Sequence, residues 1–508
     1  MLARCTAATP WGIDARPVQI EVDVRTGLPQ MQIVGLADAA VRESRQRVRT
    51  AVKNCGFRLP PRGVVVNLAP ADLRKVGNHL DLGIALALLV AHEQLPADCL
   101  DGRLFCGELG LDGAVRPVRS ALAVADLAKR LGARELLLPA LTAPEGASLG
   151  GVDVIGVGHL GEAVRHLLGA EVLPPAAGEE AEPPDLASIP DLADVRGQEA
   201  ARRALEVAAA GGHNLLFIGP PGSGKTMLAR RLPGLLPPLT REEAIVVTRI
   251  HSSAGERPEA GLRFTRPFRS PHPGASTPAL LGGGSPPRPG EVSLAHCGVL
   301  FLDELPEFRR DALEGLRQPL EEGEIYIVRT QFRFRFPARF TLVAAMNPCP
   351  CGHLGDPRHE CLCPPPMVER YRGRVSGPLL DRIDLHVEVP SVSLRDLKGT
   401  PGEGTTDVAG RVREARSRQQ RRLAGTPTPP VNAAMDERAL RRHGRLDSDA
   451  QRLLDRAFSR LGLSARAVTR VLKVARTIAD LAAADAIGAA HVAEAIQYRT
   501  LDRRLTSI

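Results

Sequence analysis

A glycine-rich loop between an apolar run and a helical pattern constrains this chain more than any other feature. The stretch NLLFIGPPGSGKTMLARRL (214–232) contains GPPGSGKT (219–226), which has the spacing of a phosphate loop: Gly, four residues, then Gly-Lys-Thr. Glycines leave consecutive backbone N–H groups free to point at phosphate oxygens, and the start of the following helix adds its positive end. The loop therefore predicts a nucleotide site on a parallel sheet covered by helices.

The residues of this loop have distinct predicted roles in binding ATP. We expect Lys225 to reach the outer phosphates and the Thr226 hydroxyl to bind Mg²⁺. The chain has only six lysines, so a lysine at this position of the motif is informative. The predicted ATP-binding residues of the loop are Gly219, Pro220, Pro221, Gly222, Ser223, Gly224, Lys225 and Thr226.

Two later apolar strands end in polar residues that would complete the site. In GVLFLDE (298–304), Asp303 ends a buried strand, where a carboxylate is costly unless a cation holds it, so we predict a Mg²⁺ ligand. Glu304 is then placed to polarise the attacking water. In FTLVAAMNP (340–348), the Asn347 amide is predicted to orient that water. A solvated acid at Glu304 and a plain Asn-Pro turn at Asn347 remain alternatives.

Composition divides the chain into three parts. The stretch 172–191 is rich in Pro, Ala and acidic residues without apolar periodicity, which is typical of a linker. We predict an N-terminal domain over 1–171, a linker over 172–189, an ATPase core over 190–395 and a helical domain over 396–508. Short apolar strands alternate with helical patterns in the core, and apolar residues recur at intervals of three to four in the last part. The expected fold class is α/β with a helical C-terminal lid.

The basic charge is concentrated in the C-terminal part. Residues 396–508 contain 21 Lys and Arg against 13 Asp and Glu, an excess equal to the net charge of +8 of the whole chain. A nucleic-acid backbone is the common partner of such an excess, although a solvated basic helix is the alternative. The longest apolar run, 82–91, is about half of what a bilayer span requires. We expect a cytoplasmic protein with no membrane partner.

Several strings carry a family resemblance. The order of phosphate loop, FLDE, MNP and GPLLDRIDLHVEV resembles the magnesium-chelatase-like branch of AAA+ ATPases, and PFRSPHPGAS, PGEVSLAHCGVLFLDELPEF and NPCPCG resemble its ComM/YifB type. The resemblance implies a homo-hexameric ATPase ring and, for the ComM type, a helicase that migrates branched DNA in recombination during natural transformation. It also implies that Arg382 in LLDRID is an arginine finger and that Arg466 in LSARAVTRVL is a second sensor. Without the family, Arg382 could be an ion-paired surface residue.

A predicted hairpin distinguishes this branch from a generic ATPase. In EIYIVRTQFRFRFPARF (324–340), phenylalanines and arginines alternate with the strand period of two. The resemblance implies that the hairpin faces the channel of the ring. We predict that Arg329, Arg333 and Arg335 contact DNA phosphates without reading sequence, and a solvated hairpin face is the alternative. Aromatic residues are 3% of the chain, so base stacking is expected to add little affinity.

Four of the nine cysteines lie in one short segment, CPCGHLGDPRHECLC (349–363). A disulfide framework is not expected in a chain of this kind. Four close thiolates could hold a structural Zn²⁺, and free buried thiols or a redox switch are the alternatives. The candidate zinc ligands are Cys349, Cys351, Cys361 and Cys363.

The N-terminal part resembles a domain of the Lon-protease type through VVVNLAPADLRKVGNHLDLGIALALL and FCGELGLDGAVRPVRSAL. Asp81 stands where that family has its Ser nucleophile, and Leu122 stands where it has its Lys base. Without both groups covalent catalysis is lost, so we predict a proteolytically inactive α+β domain. A DNA motor is then the favoured function. A chelatase-type ATPase that remodels a protein partner is the alternative, and an ATP-dependent protease is the third and weakest class.

Overall fold

The computed structural model describes residues 2–499 except 37, 76, 179–188, 257–260, 285–286, 330–331, 357, 394–395, 397–398, 427–428 and 462–463. Side chains are described for these residues apart from 39, 40, 329, 332 and 461. Most of the predicted linker over 172–189 therefore lies outside the described residues.

The N-terminal part is a mixed sheet with helices. Its strands are β1 (Leu2–Trp11), β2 (Asp14–Arg25), β3 (Met31–Val34), β4 (Gly63–Ala69), β5 (Arg103–Phe105), β6 (Glu108–Leu109), β7 (Val115–Arg116), β8 (Glu135–Pro139) and β9 (Asp153–Val157). Its helices are α1 (Ala39–Asn54), α2 (Asp81–Ala91), α3 (Ala121–Arg130), α4 (Ala143–Ala147) and α5 (Leu160–Leu167), with a 3₁₀ turn at Ala97–Leu100. Seven strands form one sheet in the order β3-β4-β2-β1-β5-β8-β9, while β6 and β7 pair separately. Helix α2 is buried on every side, which explains its uninterrupted apolar sequence.

The central part is built on five parallel strands. They are β10 (Leu215–Ile218), β11 (Phe268–Arg269), β14 (Val299–Leu302), β17 (Thr341–Met346) and β18 (Leu385–Glu388), in the order β11-β14-β17-β10-β18. Strands β10, β14 and β17 are buried at every residue, as expected of a sheet covered on both faces. Because β10 lies between β17 and β18, the loops after all three strands meet at one edge of the sheet.

Helices and two small hairpins surround this sheet. The helices are α6 (Glu199–Gly211), α7 (Lys225–Ala229), α8 (Leu232–Leu235), α9 (Arg241–Ala254), α10 (Thr277–Leu281), α11 (Glu291–Leu294), α12 (Arg310–Gly315), α13 (Arg317–Glu322), α14 (Pro365–Arg372) and α15 (Gly377–Leu380), with 3₁₀ turns at Leu192–Asp194 and Leu305–Glu307. The hairpins are β12 (Gly282–Gly283) with β13 (Arg288–Pro289), and β15 (Glu324–Arg329) with β16 (Phe332–Pro337).

The C-terminal part is helical, as predicted. Its helices are α16 (Thr405–Arg422), α17 (Glu437–His443), α18 (Ser448–Leu461), α19 (Ala465–Leu481) and α20 (Ala489–Gln497), with a 3₁₀ turn at Asn432–Ala434. Apolar residues of α16, α18, α19 and α20 share one core with α6 and the central sheet. The predicted fold class is confirmed: a mixed α+β N-terminal part, a parallel-sheet core and a helical lid. Within the described ranges, no helix has the length and hydrophobicity needed to cross a bilayer.

A buried polar cluster fastens the lid to the core. Asp384, just before β18, accepts a hydrogen bond from Arg470 of α19 and lies 3.2 Å from His213 Nδ1, while His213 Nε2 lies 2.8 Å from Thr477 Oγ1. Burial alone would raise the pKa of Asp384, but the charges of Arg470 and His213 outweigh it and hold that pKa well below its ordinary value. The carboxylate therefore stays ionised and ties the lid to the central sheet.

The two N-terminal positions compared with a protease dyad are both buried. The Asp81 carboxylate accepts hydrogen bonds from Ser44 Oγ and from Arg47 Nε at 2.9 Å. Burial raises the pKa of Asp81 despite this pairing, which shows that desolvation is the larger effect. Leu122 is fully buried in α3. Asp81 and Leu122 thus serve as packing and ion-pair residues, and proteolytic inactivity stays a prediction.

We predict that Asp81→Ala lowers the free energy of unfolding by about 3 kcal/mol, because it removes the buried carboxylate closest to the largely buried Arg47 and leaves only the longer, exposed pair with Glu43. Asp81→Asn should cost less, since the amide oxygen still accepts a hydrogen bond. Thermal unfolding of the full chain followed by circular dichroism measures both. Degradation of casein by the wild-type protein, abolished by either substitution, would contradict the assignment of Asp81 to a structural role.

Candidate nucleotide-binding site

The phosphate loop connects β10 to α7 and needs glycine at several positions. A Cβ on Gly219 would lie 2.1 Å from the carbonyl oxygen of Val389, so no side chain fits there. Gly222 and Gly224 have φ angles of +73° and +93°, in the left-handed region that favours glycine. The loop therefore holds its compact shape for backbone reasons that the motif spacing already indicates.

Lys225 lies at the centre of the site. Its side chain is buried, and Nζ donates to the carbonyl oxygens of Gly219 at 2.7 Å and Pro220 at 2.8 Å. It also donates to Asn347 Oδ1 at 3.2 Å. Burial lowers the pKa of Lys225, while Asp303 and Glu304 act in the opposite direction. The three oxygens that accept hydrogen bonds from Nζ, two carbonyl oxygens and one amide oxygen, are neutral. The positive charge of the ammonium group therefore suits an incoming phosphate.

The oxygen ligands expected for Mg²⁺ come together across two elements. The Thr226 hydroxyl, on α7, donates to Asp303 Oδ2 at 2.7 Å, at the end of β14. Hydroxyl and carboxylate oxygens are the ligands that Mg²⁺ prefers, so the residues present fit this ion. A bound Mg²⁺ would neutralise charge on the outer phosphates of ATP.

Glu304 follows Asp303 in a strained backbone conformation. Its φ angle is +52°, which is uncommon for a residue with a side chain, and its backbone N–H donates to Asp303 Oδ1 at 2.9 Å. The residue is exposed, so its carboxylate can reach a water molecule. Asn347, in turn, directly follows β17 and contacts Lys225. The structure thus places Lys225, Thr226, Asp303, Glu304 and Asn347 at the same edge of the sheet.

The two arginines expected from the family resemblance make other contacts than the phosphate-loop residues described above. Arg382 is buried, donates to the carbonyl oxygen of Pro378, and forms an ion pair with Glu321. It is therefore ion-paired, but it is not a surface residue. Arg466 is exposed in the first turn of α19, and no hydrogen bond or ion pair of its side chain is found within the described part of the chain. Their catalytic roles stay predictions.

Sequence reasoning missed two residues that support the phosphate loop. Gln198 Nε2 donates to the carbonyl oxygens of Ser223 at 3.2 Å and Pro390 at 2.6 Å, which ties the loop to the segment after β18. A Cβ on Gly352 would lie 2.5 Å from Cδ of Pro221, so the cysteine-rich segment packs directly on the loop. No motif spacing indicates either contact, because both join residues distant in sequence.

The four clustered cysteines converge as a metal site requires. Their sulfur atoms all lie within 4.8 Å of one another, with Cys351 and Cys361 3.7 Å apart and Cys349 and Cys361 3.6 Å apart. Zn–S bonds of about 2.3 Å in a tetrahedron place sulfurs about 3.8 Å apart, so the set fits Zn²⁺. A backbone hydrogen bond from His353 and contacts with neighbouring thiols lower the pKa of Cys351 to about 6, whereas burial and the neighbouring thiols raise the pKa values of Cys361 and Cys363, so the metal-free cluster favours a single thiolate.

The hairpin of β15 and β16 has the predicted two faces. Phe334 and Phe336 are buried, whereas Arg333 and Arg335 are exposed. Arg335 forms a bidentate ion pair with Glu324, and the Arg333 guanidinium lies 4.1 Å from the ring centre of Tyr326. The side chains of Arg329 and Phe332 lie outside the described residues.

Comparison with known proteins places this arrangement among relatives of one enzyme subunit. Family models match residues 191–397 (magnesium chelatase, subunit ChlI), 20–141 (subunit ChlI of Mg-chelatase) and 402–499 (magnesium chelatase, subunit ChlI C-terminal). The chain is 45% identical to YifB of Salmonella typhimurium over 97% of this chain and 96% of that protein. It is 44% identical to the competence protein ComM of Haemophilus influenzae over 98% of this chain and 97% of that protein.

Two substitutions should separate nucleotide binding from hydrolysis. Lys225→Ala removes the charge that meets phosphate, so we expect at least a tenfold loss of ATP affinity. Glu304→Gln should leave ATP affinity within twofold and lower kcat by about 10² to 10⁴, because the predicted general base is lost. Binding of a fluorescent ATP analogue and release of phosphate measure the two effects.

The matched control is Glu307→Gln. Glu307 is exposed, three residues further on, and bonded to Arg374 at 2.8 Å. Hydrolysis at the wild-type rate by Glu304→Gln would show that this carboxylate is not the base.

Proposed function

Because this chain belongs to the magnesium-chelatase ChlI family and is of its ComM/YifB type, we propose that it is an ATP-hydrolysing motor that acts on DNA. The observation that carries the proposal is the hairpin of β15 and β16, which precedes the sensor strand β17 and exposes Arg333 and Arg335. The Haemophilus relative is named a competence protein, which supports a role in handling DNA. Branch migration in recombination is the specific activity we propose.

Strand β17 gives the hairpin a direct mechanical connection to the nucleotide. The strand begins at Thr341, four residues after β16, and ends at Met346, next to Asn347. Its six residues span about 20 Å. Asn347 contacts Lys225, so a change at the outer phosphates moves one end of a stiff strand whose other end carries the hairpin. Because β17 is hydrogen-bonded to β10 and β14 on its two sides, hydrolysis would move the arginines together with the sheet.

The arginine face of the hairpin suits a phosphate backbone. In the free chain, Arg335 holds the carboxylate of Glu324, and such exposed ion pairs contribute little stability. A phosphate can replace that carboxylate and form the same bidentate pair with the guanidinium. Both guanidinium groups are exposed, so binding would depend on charge and would weaken with salt.

Hydrolysis is proposed to require a ring, with a hexamer as the expected form. An arginine finger in trans is worth about 10³ to 10⁵ in rate. Arg382 is the candidate, and it would have to exchange Glu321 of its own chain for a phosphate bound to the neighbour. Glu321 is largely exposed whereas the Arg382 side chain is buried, so reaching a neighbouring subunit would require Arg382 to leave the contacts of its own chain. Arg466, exposed on the lid, is proposed as the second sensor.

A second candidate function uses the same nucleotide site. The three family models derive from the ChlI subunit of magnesium chelatase and together match most of the chain. This favours an ATPase that remodels a protein partner instead of moving DNA. Dependence of hydrolysis on DNA distinguishes the two, because only the motor has a polyanion as its substrate.

A structural Zn²⁺ in the cysteine cluster is also proposed. Cys349 begins two residues after Asn347, and Gly352 packs on Pro221 of the phosphate loop. A metal held by Cys349, Cys351, Cys361 and Cys363 would stiffen this segment against the nucleotide site. All four protein ligands would be thiolates, so no position is left for catalysis by the ion.

The double substitution Arg333→Ala, Arg335→Ala should reduce stimulation of ATP hydrolysis by single-stranded or forked DNA at least tenfold, because two phosphate contacts are lost. The matched control, Arg441→Ala with Arg452→Ala, removes two exposed, ion-paired arginines of the lid and should keep at least half of the stimulation. Phosphate release is measured against DNA concentration at two salt concentrations.

Equal stimulation of the hairpin variant and the wild type would exclude these arginines from DNA binding. A wild-type protein whose hydrolysis ignores DNA would favour the protein-remodelling function.

Elemental analysis should find one zinc per chain in the purified protein. Cys361→Ser with Cys363→Ser should lose the metal and lower the thermal unfolding temperature, because the segment behind the phosphate loop is no longer cross-linked. The control Cys297→Ser removes a cysteine outside the cluster and should retain the metal. Metal-free wild-type protein, purified without chelator, would support free thiols.

A further inference from the structure

The turn between β1 and β2 of the N-terminal domain contacts the hairpin. The ring of Trp11, at the end of β1, lies 4.8 Å from the ring of Phe334, centre to centre. Gly12 faces the same surface: a Cβ there would lie 3.4 Å from Phe334 and 3.8 Å from Phe336. The burial of these two phenylalanines thus involves a surface contributed by another domain.

The same turn is also fastened to helix α9 of the ATPase core. Arg249 Nε donates to the carbonyl oxygen of Ile13 at 3.2 Å, and its Nη2 pairs with the carboxylate of Asp14. The Arg249 side chain is largely buried, whereas the Asp14 side chain is more than half exposed, so this pair lies at the edge of the interface. The turn therefore contacts α9 through Arg249 and the hairpin through Trp11.

A wider interface keeps the domain in place around this turn. The backbone N–H of Ser120 donates to Ser252 Oγ at 3.0 Å, and Arg241 donates to the carbonyl oxygen of Ser148 at 2.9 Å. Apolar residues of α3 share a core with Leu239, Ala244, Val247 and Leu262 of the ATPase part. A shared core of this kind makes the two parts move as one body.

A hairpin of two strands needs such outside support. Isolated two-stranded hairpins are marginally stable, and this one carries an exposed arginine face opposite its phenylalanine face. Register pairs Phe334 with Ile327, in the middle of the hairpin, so the Trp11 contact lies well away from the base near Glu324. On the same face of the hairpin, Ile325 and Ile327 pack on the ATPase core, so Trp11 adds a second support, from the N-terminal domain, that fixes the orientation of the arginine face.

We infer that the N-terminal domain aims the hairpin at its polyanionic substrate, with Trp11 as the positioning residue. This inference rests on the proposed DNA-binding role of the hairpin. A domain with a buried aspartate and leucine at the two protease positions thereby has a mechanical use: it sets the direction of Arg333 and Arg335 while touching no phosphate itself. Asp14 lies close enough to raise the pKa of Arg335, after the larger effect of Glu324, which fits a turn placed beside the arginine face.

Trp11 is the single tryptophan of the chain, so its fluorescence reports this contact without labelling. Phe334→Ala in the full-length protein should shift the emission to longer wavelength and raise quenching by acrylamide at least twofold. Arg333→Ala, on the opposite face, should leave both unchanged. This measurement needs no DNA, so it tests the contact independently of the proposed function. Emission insensitive to Phe334→Ala would overturn the inference.

The functional test compares Trp11→Ala with Trp11→Phe. We expect Trp11→Ala to raise the DNA concentration for half-maximal stimulation of ATP hydrolysis about tenfold while the KM for ATP changes less than twofold. Trp11→Phe restores a ring against Phe334 and should recover the wild-type value. Leu111→Ala, which truncates an exposed leucine of the same domain, is the control and should behave as the wild type.

The outcomes separate the two claims. Wild-type stimulation by DNA with an unchanged half-maximal concentration in Trp11→Ala would overturn the positioning role and leave the DNA motor standing. No stimulation of the wild type would remove the motor, and with it the positioning role. If Trp11→Ala does not fold, Phe334→Ala probes the same contact from the hairpin side, and its half-maximal DNA concentration must rise in the same way.

Discussion

Parallel pairing of β10 between β17 and β18 is the constraint on which the rest of the structure depends. Parallel strands end at the same edge, so the phosphate loop after β10, Asn347 after β17 and the segment after β18 are forced together. The 3.2 Å hydrogen bond from Lys225 to Asn347 is a direct result, because it joins the loop after β10 to the residue after β17. An antiparallel neighbour would have placed the sensor amide at the opposite end of the sheet, away from any nucleotide.

Strand β17 connects three features of the molecule: the hairpin, Asn347 and the cysteine-rich segment. The hairpin of β15 and β16 precedes it, while Asn347 and the cysteine-rich segment follow it. Every residue of the strand is buried and the strand is hydrogen-bonded to β10 and β14 on its two sides, so it is a rigid element of the sheet. The cysteine segment then supports the phosphate loop through Gly352 and Pro221. Nucleotide chemistry, the proposed metal site and the proposed DNA contacts thus share one rigid element.

The contacts of the N-terminal domain indicate a structural role. Its buried Arg47–Asp81 pair costs desolvation and gains no chemistry, which fits a domain kept for its shape. That shape includes the turn that meets Phe334 and the helix that shares a core with α9. The predicted lack of a catalytic dyad is compatible with such an interface, because packing depends on surfaces and not on nucleophiles.

Local patterns in the sequence already determined much of this protein. Motif spacing identifies the phosphate loop, strand ends identify Asp303 and Asn347, and a period of two separates the phenylalanines from the arginines of the hairpin. Periodicity likewise identifies the helical lid. Only the tertiary structure decided which distant residues meet: Arg382 with Glu321, Gln198 with Pro390, and Trp11 with Phe334. Each of these contacts joins segments far apart in the chain, and their proximity follows from how sheets and helices pack, which no local pattern encodes.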